Sequence, residues 1–415
     1  MAGTGPTSAS DHHHDELVTS ITNRLKQISE TSFNYRLLPV PDKLRKTHKE
    51  AFLPKEVSIG PFYHHGKQWK AMEDHKWRYL QRFLEQTQKQ LKECVEVIKK
   101  LADRARKCYL EKIDLNSDEF ITMILVDGAF TIELFLSNRS PDRQTKNDVI
   151  FDKQKKWMIS NVRRDMSLME NQLPFFVLDD LFNFAYGSQL GELPSLLELA
   201  YDFFGSGVNL KAERPRILDS DVKHLLDALR LWHLPAMQDA QGAGWKEAEA
   251  IPRALHLRAA GVKFRMSESN CLFDITFSEG VLYIPCLKLI PTTESFLRNV
   301  TALEHAYYKH DSYFLDYVAF LGNLINTRAD AKLLIKKRII DIENWLGHDE
   351  RLAKTLAKDD EALANLFNSF GKESRFWTRN GSFCSVRQNL KAYYRSHWHW
   401  LKVRMKRNSV SKKKL

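Results

Sequence analysis

FITMILVDGAFTIELFL, residues 120–136, decides the fold because nearly every side chain in it is apolar. A helix that is apolar on all sides must be surrounded by other elements, so this segment predicts the central helix of a core. Ser117 is the expected N-cap, and Asp118 and Glu119 follow in the first turn, where negative charge is favourable. We therefore expect a large helical domain packed around this segment.

Apolar residues recur at helical spacing on both sides of the central segment. A long helix is predicted over about 68–110, and we expect a helix hairpin within one domain, because its apolar seam is too short for an intermolecular coiled coil. Shorter helices are predicted over 174–186, 194–204, 220–233, 252–260, 292–310, 312–326, 328–346 and 359–370. Residues 271–286 instead alternate in polarity around a Ser-Glu-Gly turn, which predicts a β-hairpin. The predicted fold class is mainly α, with a long helix hairpin and a small β-hairpin.

The sequence predicts three regions: a disordered tail over 1–14, a helical domain over 15–383, and a basic amphipathic helix and tail over 384–415. Its 415 residues suffice for one large domain or for two or three ordinary ones. No uncharged run exceeds 11 residues, so we expect no segment to span a bilayer. The N-terminus lacks an apolar signal segment, and the five scattered cysteines lack a CxxC pair. We therefore expect a cytoplasmic protein in a reducing compartment, not a secreted one.

The positive charge of the protein is concentrated at its C-terminus. Residues 391–415 hold nine Lys and Arg and no acid, which leaves +2 of the net charge of +11 for the remainder (11 − 9). Apolar residues at helical spacing oppose a basic side that includes Arg387, Lys391 and Arg395. Such a helix suits the anionic surface of a plasma membrane or an endomembrane. The alternative is that its apolar stripe packs on the core and its basic side is merely solvated.

The candidate membrane contacts lie in the second half of this helix. They are Arg395, Trp398, Trp400, Lys402, Arg404, Lys406 and Arg407. A basic terminal patch on a nearly neutral body argues against nucleic acid as a partner.

Acidic residues supply the catalytic candidates, because the common motifs GxSxG, HExxH, GxxxxGK[ST] and GxGxxG are absent. Asp127 lies within the apolar central helix, where a carboxylate must be paired, protonated or turned to a polar cavity. A structural ion pair is the plainer interpretation, and a catalytic role with Glu170 is the alternative. Asp179, Asp180 and Asn183 resemble a diphosphate–Mg²⁺ motif, although a second metal motif is missing.

The two interpretations of these carboxylates give two function hypotheses. The first is a non-enzymatic interaction protein without a cofactor. The second is an enzyme with an internal helical cavity, such as a lyase that cyclises a prenyl diphosphate with Mg²⁺ in the manner of a terpene cyclase. An enclosed cavity with converging carboxylates favours the second hypothesis, and a filled core with a paired Asp127 favours the first.

A partner-binding surface is predicted at EDHKWRY, residues 73–79, where charged and aromatic side chains occupy two helical turns. A self-capping polar cluster is the alternative interpretation, and no pairing of a nucleophile with a base is visible there. The interaction candidates are Glu73, His75, Lys76, Trp77, Arg78 and Tyr79.

Seven motifs in a fixed order resemble the plant family known as domain of unknown function 247. They are VSIGPFYHHG (57–66), MEDHKWRYL (72–80), DGAFTIELF (127–135), MENQLPFFVLDDLF (169–182), AAGVKF (259–264), LFDITFSEGVLYIP (272–285) and TESFLRNVTALEH (293–305). The resemblance covers about residues 33–400 and implies a plant origin, with no established activity or cofactor. Some grass members of that family are implicated as pollen-side determinants of self-incompatibility, so the resemblance implies recognition or signalling.

The sequence departs from the pattern of that family in three places. Its members usually end in a transmembrane helix after a segment that reads AYYRSHWHWLKVRMK here, whereas this sequence continues to NSVSKKKL. Both a truncation and a member without an anchor fit this ending. GPFYHHG carries an additional aromatic residue, and Ala129 stands where a cysteine is common. We expect a plant interaction protein that faces the cytosol and is held near a membrane by its basic C-terminus.

Overall fold

A computed structural model describes residues 17–19, 21–22, 36–145, 148–187, 193–205, 217–218, 221–235, 250–308, 311–342, 360–374 and 383–411, with the helix but not the side chains of 398–411. The tail predicted over 1–14 lies outside these residues. Within them the fold is mainly α, as predicted. The helices are α1 (Asp42–Thr47), α2 (Lys49–Phe52), α3 (Lys70–Thr87), α4 (Leu91–Lys107), α5 (Ser117–Arg139), α6 (Lys156–Asp165), α7 (Phe175–Tyr186), α8 (Leu196–Phe204), α9 (Leu225–His233), α10 (Ala254–Ala259), α11 (Thr293–Tyr307), α12 (Tyr313–Leu324), α13 (Arg328–Lys336), α14 (Asp360–Ser374) and α15 (Cys384–Ser411).

Helix α5 is the central helix that the sequence predicts, and helices α3, α4, α7 and α8 pack around it. Its N-cap is Asn116, one residue before the predicted cap, because Asn116 and Glu119 form a reciprocal capping box. By length and composition alone, Ser117–Arg139 could cross a membrane. In that respect the expectation that no segment could span a bilayer was wrong. Within this fold, 89% of the apolar 18-residue stretch of α5 is buried, so α5 serves as a core helix here.

The long helix predicted over 68–110 is divided into α3 and α4. The chain breaks at Gln88, whose φ of 56° is left-handed. Gln90 then caps α4 in a capping box with Glu93. Both pieces pack against α5, so the apolar seam of this segment is satisfied inside one molecule.

Helices α11 to α14 form a second set of packed helices, with α12 against α14 and α13 against α14. Two glycines allow the closest approach between α12 and α14. A Cβ on Gly322 would lie 2.8 Å from the Cα of Gly371, a distance that real Cβ contacts do not reach. Any larger residue at Gly322 would therefore push the two helices apart.

The predicted β-hairpin is present but has a short first arm. Strand β2 (Thr276–Ser278) pairs antiparallel with β3 (Val281–Pro285) through a turn in which Glu279 and Gly280 have φ of 51° and 75°, as two-residue hairpin turns require. The sequence did not predict β1 (Lys263–Ser267), which pairs parallel with β3 in the order β1-β3-β2. Strands β4 (Leu287–Lys288) and β5 (Ile340–Asp341) form a second, parallel pair. The helix predicted over 328–346 therefore ends early, at Lys336.

Candidate functional site

Asp127 lies in a cluster of charges with the buried Lys76 and the half-buried Glu73, which we call the Lys76 cluster. The Nζ atom of Lys76 lies 2.5 Å from Asp127 Oδ1 and 2.6 Å from Glu73 Oε1, and it donates to the carbonyl oxygen of Ser58 over 2.8 Å. Lys76 is 0% exposed and Asp127 is 1% exposed. Burial alone would lower the pKa of Lys76, but the two carboxylates outweigh it and raise that pKa. The ammonium is therefore kept charged by its partners.

The second oxygen of Asp127 fixes the VSIGPFYHHG segment to α5. Oδ2 accepts the backbone N–H of Gly60 over 2.8 Å. Gly60 has a φ of 76°, and a Cβ there would lie 2.6 Å from the carbonyl oxygen of Gln172, so only glycine fits both constraints. Both Asp127 oxygens thus have partners within the protein. This favours the structural interpretation of Asp127 over the catalytic one.

Glu170 contacts two segments that precede it in the sequence, one around α1 and one at Tyr63. Its Oε1 accepts the backbone N–H of Val40 over 2.7 Å and pairs with the guanidinium of Arg45, and its Oε2 accepts the hydroxyl of Tyr63. Tyr63 belongs to the aromatic pair Phe62–Tyr63 in which the additional aromatic residue occurs. These contacts give Glu170 a role in holding the Val40–Tyr63 region against the turn before α7.

The neighbouring amides satisfy backbone groups freed by that turn. Asn171 accepts the N–H of Ile59 over 2.7 Å and donates to the carbonyls of Val57 and Asp165. Gln172 donates to the carbonyls of Met166 and Leu168, both over 2.8 Å. Buried backbone groups need such partners. The motifs at 57–66, 72–80, 127–135 and 169–182 therefore meet in one buried polar network.

The other acidic candidates lie apart from this network, on α7. Asp180 and Asn183 are exposed, and Asp179 is half-buried. In the part of the chain that the structure describes, no group of three His, Cys, Asp or Glu side chains is arranged to hold a metal ion.

A small cavity lies beside α14. It has a volume of about 10 Å³, room for about one water molecule. Its lining includes Leu44, Phe52, Arg298 and Glu373, and Arg298 pairs with Glu373 over 3.0 Å. Neither Asp127 nor Glu170 contributes to this lining.

The EDHKWRY segment is split between core and surface. Lys76 and Tyr79 are buried, and the Tyr79 hydroxyl donates to Asp148 over 2.8 Å. This corrects the expectation that both side chains face a partner. Trp77 is 51% exposed and Arg78 is exposed as well, while His75 is half-buried. A contiguous exposed group of side chains therefore remains on the outer side of α3.

The sequence contained a signal that Lys76 is buried. Met72, Leu80 and Phe83 are buried residues that share its helix face, at the i±4 and i±7 positions of a core stripe. A lysine in such a stripe needs a buried carboxylate, and Asp127 was the evident partner. The pairing of Lys76 with Asp127 is therefore a feature that the predictions did not include.

Helix α15 attaches to the body through its first three turns. Leu390 is buried, and the ring of Tyr393 lies 5.5 Å from that of Phe277 on β2. Arg387, which the sequence placed on the solvated basic side, is 2% exposed and lies 3.7 Å from Asp316. That placement was wrong, because a buried carboxylate on α12 attracts this arginine into the interface. Of the predicted membrane contacts, Arg395 is exposed, and the side chains of Trp398, Trp400, Lys402, Arg404, Lys406 and Arg407 lie outside the described residues.

Comparisons with known proteins agree with the family resemblance that the seven motifs indicate. The profile of domain of unknown function 247, described as a plant protein of unknown function, matches residues 37–414. The chain belongs to this plant family. The chain is also similar to two Arabidopsis thaliana proteins. UPF0481 protein At3g47200 is 29% identical over 399 residues, 87% of this chain and 81% of that protein. Putative UPF0481 protein At3g02645 is 22% identical over 471 aligned residues, 90% of this chain and 84% of that protein. No solved structure matches.

Membership in domain of unknown function 247 brings no established activity. What the structure adds is a physical role for four of its ordered motifs in this chain, since they supply the partners of one another in the buried network.

Proposed function

We propose that this protein is a non-enzymatic interaction protein that docks on the anionic cytosolic surface of a membrane through α15. The observation that carries the proposal is the acid-free run of nine Lys and Arg over 391–415, most of it on a single helix that extends to Ser411. Arg395 and the two residues after it are exposed. The proposal involves no cofactor. The biological role that we propose is recognition or signalling at the membrane.

The geometry of the attachment supports this proposal. Phe277 and Leu390 hold the first turns of α15 on the body, where Tyr393 and Tyr394 are partly buried against the core. A 28-residue helix is about 42 Å long, so α15 extends well beyond the turns that carry Leu390 and Tyr393. Aromatic and basic side chains, such as Trp398 and Lys402, are the types enriched where helices lie on headgroups.

Vesicle binding tests the proposal without disturbing the fold. The full chain should co-sediment with vesicles containing phosphatidylserine, and a chain ending at Tyr394 should not, although it keeps Tyr393 against Phe277. Substituting glutamine for Lys402, Arg404, Lys406 and Arg407 should weaken binding by at least about tenfold, since each cation near such a surface adds about 1 kcal/mol.

A matched control distinguishes membrane binding through α15 from a general effect of the net charge of the protein. Lys92, Lys99, Lys100 and Lys107 are exposed cations on α4, and substituting glutamine for all four removes the same charge. These variants should bind vesicles as the unaltered chain does. Equal loss in both sets of variants, or undiminished binding by the chain ending at Tyr394, would contradict docking through α15.

The outer side of α3 is the proposed surface for a protein partner. Trp77 and Arg78 are exposed there, and exposed Trp and Arg are the residue types that dominate binding energy at interfaces. Affinity purification from plant tissue with the full chain and with a Trp77→Ser/Arg78→Ser variant tests this surface. We expect proteins that co-purify with the full chain to be lost from the variant. The same set of proteins with both baits would refute it.

A further inference from the structure

A second concentration of positive charge lies in AKLLIKKRII, residues 331–340, which contains four cations and no acid. We call it the α13 segment, because it covers most of α13 and the turn that leads from α13 to β5. The chain before residue 391 has a net charge of +2, so without this segment that part of the chain would carry −2 (2 − 4). The charge of the body is therefore not spread evenly.

The four cations of the α13 segment are exposed on a firmly held backbone. Leu334 and Ile339, on either side of the turn, are buried in the core. None of the cations pairs with a carboxylate of the residues that the structure describes. The four are Lys332, Lys336, Lys337 and Arg338. The fold thus presents four positive charges that no described acid balances.

Arg338 occupies a backbone position at which helices usually carry glycine. Its φ of 56° is left-handed, and its N–H donates to the carbonyl of Ile335 over 2.9 Å. The next N–H, that of Ile339, donates to the carbonyl of Leu334 over 3.0 Å. These two bonds form the Schellman arrangement, whose left-handed residue is usually glycine because a Cβ is unfavourable there. An arginine at this position therefore lowers stability relative to glycine.

Lys332 and Lys336 also oppose local stability, since like charges one helical turn apart repel each other. The helix macrodipole favours cations in the last turn of α13, which accounts for Lys336 but not for Lys332 or Arg338. Sequences depart from local preference chiefly at functional sites. Both departures put positive charge on the surface, and a bound anion would offset the repulsion between these charges. An anionic partner is therefore what this surface fits.

We propose that the α13 segment is a second contact with the anionic surface of the membrane, an inference that rests on the proposed docking through α15. The segment belongs to the set of helices that carries α15. Arg387 of α15 lies 3.7 Å from Asp316 on α12, and α12 and α13 both pack against α14. This attachment favours lipid headgroups over other anions. Each Lys or Arg near headgroups strengthens binding, and two weak signals together make a peripheral attachment stable.

Sedimentation with vesicles that contain phosphatidylserine tests this inference. The segment variant removes all four charges, through Lys332→Gln, Lys336→Gln, Lys337→Gln and Arg338→Gly. Its affinity should fall at least about tenfold relative to the unaltered full chain, because each cation near the headgroups adds to the binding. The difference should shrink in high salt, which screens exposed charges. The control with glutamine at the four lysines of α4 should keep the affinity of the unaltered chain.

The α15 variant, measured in parallel, distinguishes this inference from the proposed function; it carries glutamine at Lys402, Arg404, Lys406 and Arg407. Full affinity of the segment variant, with weakened binding of the α15 variant, would overturn the inference and leave docking through α15 in place. Weakened binding of the segment variant alone would support the α13 contact and overturn docking through α15. If the full chain bound no vesicles, both would fall. A segment variant that lost affinity for a duplex oligonucleotide but not for vesicles would assign the surface to nucleic acid and also overturn the inference.

Arg338→Gly on its own separates a role in binding from a role in folding. Glycine relaxes the backbone at a φ of 56°, so the midpoint temperature of thermal unfolding should stay the same or rise. Vesicle affinity should nevertheless fall by about fivefold, the effect of one cation near headgroups. A lower midpoint with unchanged affinity would show that Arg338 serves the fold and would contradict the inference. Circular dichroism checks that both variants are folded.

Discussion

Replacing Lys76 with methionine tests whether the buried charges are structural. Methionine fits the length of the lysine stem but leaves Asp127, 1% exposed, without its cation. Asp127 would keep the N–H of Gly60, and the carbonyl of Ser58 would lose its donor. Removing one partner of a buried ion pair costs about 3–5 kcal/mol. We therefore expect Lys76→Met to lower the free energy of unfolding by that amount.

The assay is urea unfolding followed by circular dichroism and tryptophan fluorescence. Arg78→Met is the matched control, because it removes a cation from the same helix at an exposed position and should change stability by less than about 0.5 kcal/mol. A Lys76→Met/Asp127→Leu double variant should recover part of the loss, since an apolar pair can replace a buried ion pair. A loss below about 1 kcal/mol for Lys76→Met would refute the structural role. Strictly additive losses in the double variant would refute the pairing.

Two further predictions concern other buried groups. Gly60→Ala should lower the free energy of unfolding by about 2 kcal/mol or more, because the φ of Gly60 is 76° and a Cβ there would lie 2.6 Å from the carbonyl oxygen of Gln172. Thermal unfolding checks this prediction, and an unchanged midpoint temperature would contradict it. Burial raises the pKa of Glu304 to about 7 from 4.5, so the folded protein binds this proton more tightly than the unfolded chain does. Stability from this group is present at low pH and is lost as pH rises from about 4.5 to 7, by about 3 kcal/mol in total. The free energy of unfolding should therefore fall between pH 5 and pH 7.5 in the unaltered protein but not in Glu304→Gln. A difference in stability between the two proteins that is the same at both pH values would contradict this prediction.

The helical elements were predictable where local pattern and tertiary packing agree. Helix α5 followed from its apolar run, and the hairpin around Gly280 followed from polarity alternation and a glycine turn. Helices such as α7 and α12 appeared within a few residues of their predicted bounds. In these segments the residues that favour the element locally are also the residues that the core requires.

Other elements depended on partners far away in the chain. Strand β1 exists because Lys263–Ser267 pairs in parallel with β3, and β5 exists because Ile340–Asp341 pairs with β4. The break at Gln88 divides a segment whose helical pattern is continuous. No local pattern specifies such pairings, since they follow from where the chain returns in space.

The candidate site shows the same division. That Asp127 needed a partner followed from its apolar surroundings, but the identity of that partner required reading Lys76 as part of a core stripe. Arg387 is buried because Asp316 lies opposite it on α12, which the sequence of α15 does not reveal. Long-range pairs of opposite charge are therefore the features that a single sequence conceals most readily.

Hydrogen exchange at the backbone amides of Ile59 and Gly60 tests most directly whether the shared motifs form a closed structural network. These two amides donate to Asn171 and Asp127 in the interior. The account predicts that both exchange only through global unfolding, as slowly as the amides of α5. Rapid exchange at these positions in a chain whose α5 amides are protected would show an open, accessible site and would contradict it.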